Sequence, residues 1–310
     1  LEAIAAARGN LPTGITLAMA PTIPHHCSEP FLMQVAGIAE RHGLPVHMHI
    51  AESRLQAVAA QKLWGKSPVA YLAERGLLSP RFIAAHAVWL GLDDLDLLAE
   101  AGASVAHIPA SNFRLGAGIA HVRPMLERGI RVGLATDGAN SSDALSMPEA
   151  MRLASLASRA FAGPREAWLS GVETLRLATE GGAGILGLPG GGRIAVGALA
   201  DLTFYDLRHI DFMPLNDALN QVVTAAGPDA VSDVMVGGRF VKADGRITTI
   251  DPASLRERVA ETVARLGAAL AGPRALAARL EPHVVALAER ARAIPLPISR
   301  LLPVEGERTS

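Results

Sequence analysis

Two histidines and an acid stand close together in Val46-His47-Met48-His49-Ile50-Ala51-Glu52. On an extended chain residues two apart share a face, so His47 and His49 point the same way. A neutral imidazole pair, with a carboxylate three residues after the second, suits a divalent ion, the water it acidifies and a group to take that water's proton. Two polar side chains satisfied inside a core would read the same on these residues alone. Two further groups lie downstream: His86, and Asp137 in Leu134-Ala135-Thr136-Asp137-Gly138. Taken singly, His86 reads as a core histidine and Asp137 as a turn residue ahead of a glycine. Their common placement at the ends of apolar runs is what joins them.

Those runs are the elements that must hold the groups in place. Strands are predicted at Ile15 to Ala20, stopped by Pro21, and at 46–50, Phe82 to His86, Ser104 to Ile108, and Arg131 to Ala135. Helices alternate with them. One is capped by Ser28, carries Pro30 in its first turn and ends at His42-Gly43; others include Val69–Ala73, Leu92–Ala101, Val122–Arg128, Pro148–Ala160 and Val172–Leu186. A step of about thirty residues per strand is one βα unit, and this alternation argues for a parallel sheet. In a parallel βα barrel the strand C-termini converge on one mouth. His49, Glu52, His86 and Asp137 would then share it.

Character changes after Pro189-Gly190-Gly191-Gly192. Residues 193–197 and 200–205 read as turn-linked strands, and Val231–Val236 with Arg239–Val241 as a hairpin over Gly237-Gly238. From Asp251, Leu and Val recur at helical spacing, with a break at Gly272-Pro273 and an extended tail from Ile294 to Ser310. The expected division is 1–189, an α/β barrel segment; 190–250, part of a small β-sandwich; and 251–310, C-terminal helices and tail.

Half of the 310 residues are hydrophobic and the net charge is −1, so no nucleic-acid or membrane-surface field is implied. The one cysteine, Cys27, excludes an intrachain disulfide framework and fits a reducing, cytoplasmic setting. No apolar run is long enough to cross a bilayer, and the first eight residues lack the layout of a signal peptide. They read as the tail of a helix in a chain that does not begin with Met, an expectation that the sequence starts mid-protein.

Four ordered stretches carry a resemblance: His47-Met48-His49-Ile50-Ala51-Glu52-Ser53, Ala85-His86-Ala87-Val88-Trp89-Leu90, Pro109 to Gly118 with Ser111-Asn112, and Thr136-Asp137-Gly138. Together with Gly197-Ala198-Leu199-Ala200-Asp201-Leu202, they make the chain resemble the C-terminal two-thirds of an amidohydrolase-superfamily enzyme. The branch is the aminohydrolase and chlorohydrolase one, which holds triazine hydrolases and guanine, 8-oxoguanine and S-adenosylhomocysteine deaminases. The resemblance spans roughly residues 11–250. It implies a TIM-type (β/α)8 barrel of which strands four to eight are present. It also implies one divalent metal ion, zinc rather than iron, on His49 and Asp137. Asp137 would take a proton from the activated water, Glu52 would relay one to the substrate nitrogen or leaving group, and His86 would polarise the attacked centre or orient the water. Thr22 and Asn112 are the expected substrate contacts.

The family's first-strand His-x-His has no counterpart before residue 47. His47-x-His49 cannot be that pair, because the 88 residues from His49 to Asp137 make about three βα steps, where a first and an eighth strand need seven. Strands one to three are therefore expected to be missing, leaving half a metal site that binds its ion weakly and does not turn over. Nucleoside-type deaminases of the branch often carry His where Thr22 stands, which leans towards triazine-like rings. His25, His26 and Cys27 read as a loop near the mouth rather than a second metal site.

The leading expectation is hydrolytic deamination of a small aminated heterocycle, with dechlorination of a related ring as a variant. The enzyme would be a homo-oligomer with neither a nucleic-acid nor a membrane partner. A non-catalytic barrel remnant serving as a scaffold is the competing reading; intact Glu52, His86 and Asp137 speak against it. A Rossmann-type enzyme is excluded because no Gly-x-Gly-x-x-Gly follows an early strand.

Overall fold

The computed structural model describes residues 2–6, 9, 11–12, 14–161, 163–298 and 300. Its centre is a four-stranded parallel sheet: β1 (Val46–Ile50), β2 (Phe82–His86), β3 (Ser104–His107) and β4 (Arg131–Leu134), in the order β1-β2-β3-β4. Every neighbour in space is thus the neighbour in sequence. Helices make each crossover: Arg54–Trp64 and Pro68–Ala73 between β1 and β2, Leu92–Glu100 between β2 and β3, and Pro109–Arg114 with Val122–Glu127 between β3 and β4. Such wall-like order with helical crossovers is barrel-type βα architecture.

The helices begin where the sequence supplies side-chain caps. Ser53 accepts from the Gln56 amide and Ser67 from the Ala70 amide, each relieving an orphan N–H of the first turn. Burial does the rest. Met48, Ile50, Val105, Val132 and Leu134 of the strands form one core with Leu72, Leu95, Leu98 and Met125 of the helices. Each such side chain contributes about 1.5–3 kcal/mol when fully buried. Along the sheet the register sets His49 level with Ala85, Ala106 and Gly133. Nothing larger than a methyl group shares its row.

The strand expected at Ile15 to Ala20 is a correction. The segment is extended but makes a single parallel bridge, Met19 to Val46, with bonds from Met19 N to Pro45 O, His47 N to Met19 O and His49 N to Thr22 O. Pro21 has no N–H to continue a ladder. A helix from Arg54 to Trp64 was not anticipated.

Beyond Gly192, residues 193–197 form turns rather than a strand, with Ile194 and Val196 exposed to solvent. The antiparallel sheet consists of β5 (Leu202–Tyr205), β6 (Val231–Val236), β7 (Arg239–Ala243) and β8 (Arg246–Ile247). The expected hairpin turns at Gly237-Gly238, whose φ values of 55° and 78° suit glycine. Helices Pro252–Ala269 and Ala271–Arg292 follow, so the break falls at Leu270 and Pro273 sits in the first turn of the second helix. Of the expected tail, 294–298 and 300 are non-helical; 299 and 301–310 lie outside the described residues. Among the described residues no helix is long and apolar enough to cross a membrane.

Candidate active site

The C-terminal ends of the strands gather the groups singled out above. After β1 the chain turns at Ala51 (φ 46°) to bring Glu52 round ahead of the helix capped by Ser53. β2 closes on His86 (φ 67°) and Ala87 (φ 50°), and the loop after β4 carries Asp137 (φ 64°). Left-handed backbone at a non-glycine residue costs on the order of 1–3 kcal/mol and persists only where surroundings hold it. Four such residues fall at three strand ends.

The His49 ring donates from Nδ1 to the carbonyl oxygen of Thr22 at 2.7 Å. This fixes the tautomer and leaves Nε2 as the free acceptor. His86 stacks on His49, with centroids 5.4 Å apart and planes 18° from parallel. Its Nδ1 lies 2.9 Å from Asn112 Oδ1; an amide oxygen only accepts, so Nδ1 carries the proton. His86 Nε2 is buried with no hydrogen-bond partner and stands 3.9 Å from Glu52 Oε2, beyond bonding length. Asn112 Nδ2 and Ser111 Oγ are likewise buried and unpaired. Each such atom costs about 1–3 kcal/mol, a penalty that a polar ligand at the strand ends would relieve.

Electrostatics follow from this crowding. Burial pushes the His86 imidazole below its ordinary value; Glu52 and the Asn112 bond oppose it without prevailing, so the ring is neutral near pH 7. His47 is lowered by burial first and then by His49 and His86, although part of its surface meets solvent. Burial raises the Asp137 carboxyl, but the Ser111 hydroxyl, the Gly138 amide at 2.7 Å, Ser141 and His86 outweigh it and hold the group below the usual carboxylate value. The Ser111 hydroxyl acts there from outside full hydrogen-bond geometry.

His49, Glu52, His86 and Asp137 are therefore neighbours, with His47 close enough to feel three of them. The side chain of Thr22 is exposed, and its backbone carbonyl orients His49. Asn112, 1% exposed, is the partner of His86. The motif had marked Asn112 only as a substrate contact; its bond to His86 depends on β2 and β3 lying side by side. His25 in the Pro24–His26 turn stacks on Trp64 at 4.7 Å. Among the described residues no three His, Cys, Asp or Glu side chains converge closely enough to hold a metal ion. His49 and Asp137 are of the right donor chemistry for two positions of such a site.

Comparison with known proteins gives a consistent picture. The family described as "Amidohydrolase family" matches residues 2–241. The chain is 38% identical over 247 residues to a 5-methylthioadenosine/S-adenosylhomocysteine deaminase of Syntrophobacter fumaroxidans, covering 79% of this chain and 56% of that protein. It is 34% identical over 252 residues to a 5'-deoxyadenosine deaminase of Methanothermobacter thermautotrophicus, covering 81% and 58%. Among solved structures, a zinc-bound adenosine deaminase from Xanthomonas campestris aligns with a TM-score of 0.82 at 30% identity, over 86% of this chain and 61% of that one. A zinc complex of atrazine chlorohydrolase from Arthrobacter aurescens aligns with a TM-score of 0.74 at 31% identity, over 80% and 54%. The chain thus spans little more than half the length of the curated relatives it matches.

Proposed function

Because the chain belongs to the amidohydrolase family, we propose that it carries part of a metal-dependent centre that hydrolyses a non-peptide carbon–nitrogen bond in an aminated heterocycle. The observation that carries this reading is the neighbourhood of His49, Glu52, His86 and Asp137 at the ends of adjacent parallel strands. Residues 1–189 supply the C-terminal part of an eight-stranded barrel, with β1 to β4 as strands five to eight and the extended segment before Pro21 bridged to β1; 190–250 supply part of its β appendage, and 251–310 the C-terminal helices and tail.

His49, through Nε2, and Asp137 would hold one divalent ion. Zinc in the two neighbouring structures favours zinc over iron. When bound, such an ion acidifies water. Asp137, held ionised below the usual carboxylate value, accepts a proton. Glu52 hands one to the departing nitrogen. His86, neutral and with its proton fixed on Nδ1 by Asn112, accepts a hydrogen bond at Nε2 from the attacking water and orients it. The relatives named for adenosine-type deamination support an aminopurine nucleoside as substrate. Dechlorination of a triazine ring is the second reading, favoured by Thr22 and by the likeness to atrazine chlorohydrolase.

The test is ammonia release from 5'-deoxyadenosine and S-adenosylhomocysteine, beside chloride release from a chlorotriazine, by the zinc-loaded full-length protein. Asp137→Asn and His49→Ala should each abolish turnover. Metal-dependent turnover unchanged in both variants would sink the assignment.

A further inference from the structure

Residues 291–298 and Arg300 contact three loops of the candidate site, yet they lie outside the stretch that matches the family. Arg54, two residues after Glu52, reaches the C-terminal end of helix Ala271–Arg292. Its Nε donates to Ala291 O at 3.3 Å, and its Nη2 to Arg292 O at 3.3 Å and Ile294 O at 2.5 Å. Ala291 and Arg292 lie in the last turn of that helix, whose carbonyls lack i+4 amide partners within the helix, and Ile294 lies just beyond it. The same guanidinium lies 5.3 Å over the ring of Trp89.

The segment then runs inward, with Leu296 and Ile298 packed on the main core. At Arg300 it joins two more loops. Nε donates to Val88 O at 3.1 Å and Nη2 to Leu90 O at 2.8 Å, while Arg300 O accepts from the Ile119 amide at 2.8 Å. Gly118 makes room for this approach: a Cβ there would stand 2.6 Å from Arg300 O. One residue therefore ties the loop after His86 to the loop after Asn112, whose side chains form the 2.9 Å pair.

The His86 loop carries unusual backbone. His86 and Ala87 are consecutive left-handed residues, held by burial in the main core and by backbone bonds that include Ala87 N to Ile50 O and Trp89 N to Ala51 O. Nearby, Trp89 Nε1 donates to Ala117 O at 2.7 Å.

We propose that residues 291–298, together with Arg300, form a strap that sets the relative position of Glu52, His86 and Asn112, with Arg54 and Arg300 as its positioning residues. The proposed catalytic role of those three groups rests on the reading above; the strap itself does not. The experiment is hydrogen exchange on Arg300→Ala and Arg300→Lys in the full chain, with steady-state kinetics of the zinc-loaded full-length protein. Lysine keeps the charge but not the two-pronged geometry, and it carries the test alone if the alanine variant does not fold. Peptides covering 87–91 and 117–120 are expected to exchange at least tenfold faster in Arg300→Ala, less so in Arg300→Lys, while 131–137 stay unchanged. Turnover should fall about tenfold with KM within twofold, as expected when reacting groups are misplaced rather than binding lost. Unchanged exchange at 87–91 overturns the strap, and so does faster exchange with unaltered kcat. If the unsubstituted protein has no hydrolase activity, the proposed function fails and the exchange data still decide the strap.

Discussion

The imidazole of His49 is oriented by the backbone of Thr22: Nδ1 donates to that carbonyl at 2.7 Å, across 27 residues of chain. A side chain held this way depends on where Thr22 sits, not on what Thr22 is. Thr22→Ala should therefore leave zinc affinity of the full-length protein within about threefold, whereas His49→Ala should lower it by more than 100-fold, since a missing ligand costs more than an outer contact. Zinc competition with a chromophoric chelator measures both. A large loss in Thr22→Ala would show that the hydroxyl matters after all.

Asn112 holds the His86 ring by a hydrogen bond of 2.9 Å between Nδ1 and Oδ1. Asn112→Asp keeps the acceptor and adds a charge beside a ring whose neutrality is maintained by burial. The imidazole should then titrate higher, and the acid limb of the pH–rate profile should move up by about one unit. Asn112→Ala should leave Nδ1 unpaired and cost about tenfold in kcat. An unmoved acid limb in Asn112→Asp would count against His86 as a titrating participant.

His107 gives a stability prediction. It is buried with both ring nitrogens unpartnered, and burial, assisted by His86, pushes it down to about 4 from 6.5. Between those values the unfolded chain binds a proton that the folded chain refuses. Its contribution is thus intact above pH 6.5 and is lost as pH falls towards 4, a window of on the order of 3 kcal/mol. Urea midpoints at pH 7.5 and 4.5 should separate more in the natural protein than in His107→Met. Equal pH slopes would mean that His107 is protonated or paired in solution.

Gly181 tests close packing. It lies in the π-helical segment Leu177–Gly181, pressed on β4, where an added Cβ would stand 2.2 Å from Val132 O. Helix propensity alone favours Gly→Ala by about 1 kcal/mol. Overpacking against a rigid carbonyl costs typically 1–3 kcal/mol and, at this distance, the upper end or more. Gly181→Ala should therefore be destabilising by roughly 2 kcal/mol in urea unfolding; a stabilised variant would show that the segment shifts freely.

Much of this architecture was legible in the residues. Apolar runs ending in His86 and Asp137 marked strand ends, because buried strands leave little choice of residue type. Ser28 and Pro30 marked a helix start through orphan amide chemistry, and the Gly237-Gly238 hairpin through φ. The stretch from Ile15 to Ala20 misled, since apolar content signals burial and not whether a ladder forms on both sides. Residues 193–197 misled in the same way, their apolar side chains facing solvent. The partners of the site residues were out of reach. A carbonyl from Thr22 and a guanidinium from residue 300 depend on tertiary approach, which no local spacing encodes. The left-handed turns at Ala51, His86 and Ala87 were equally silent, since none is a glycine, whereas Asp137 read as a turn residue ahead of Gly138.

In the parallel sheet each strand pairs with the one made just before it, within a few tens of residues. The contacts of Arg300 close over a separation of 210 and 212 residues. On a ribosome the two events are far apart in time: the sheet can assemble as its strands emerge, while Val88 and Leu90 wait for most of the chain to be made. Local pairing is the fast part of folding and distant closure the slow part, so the loop that carries His86 should be the last part of the site to settle.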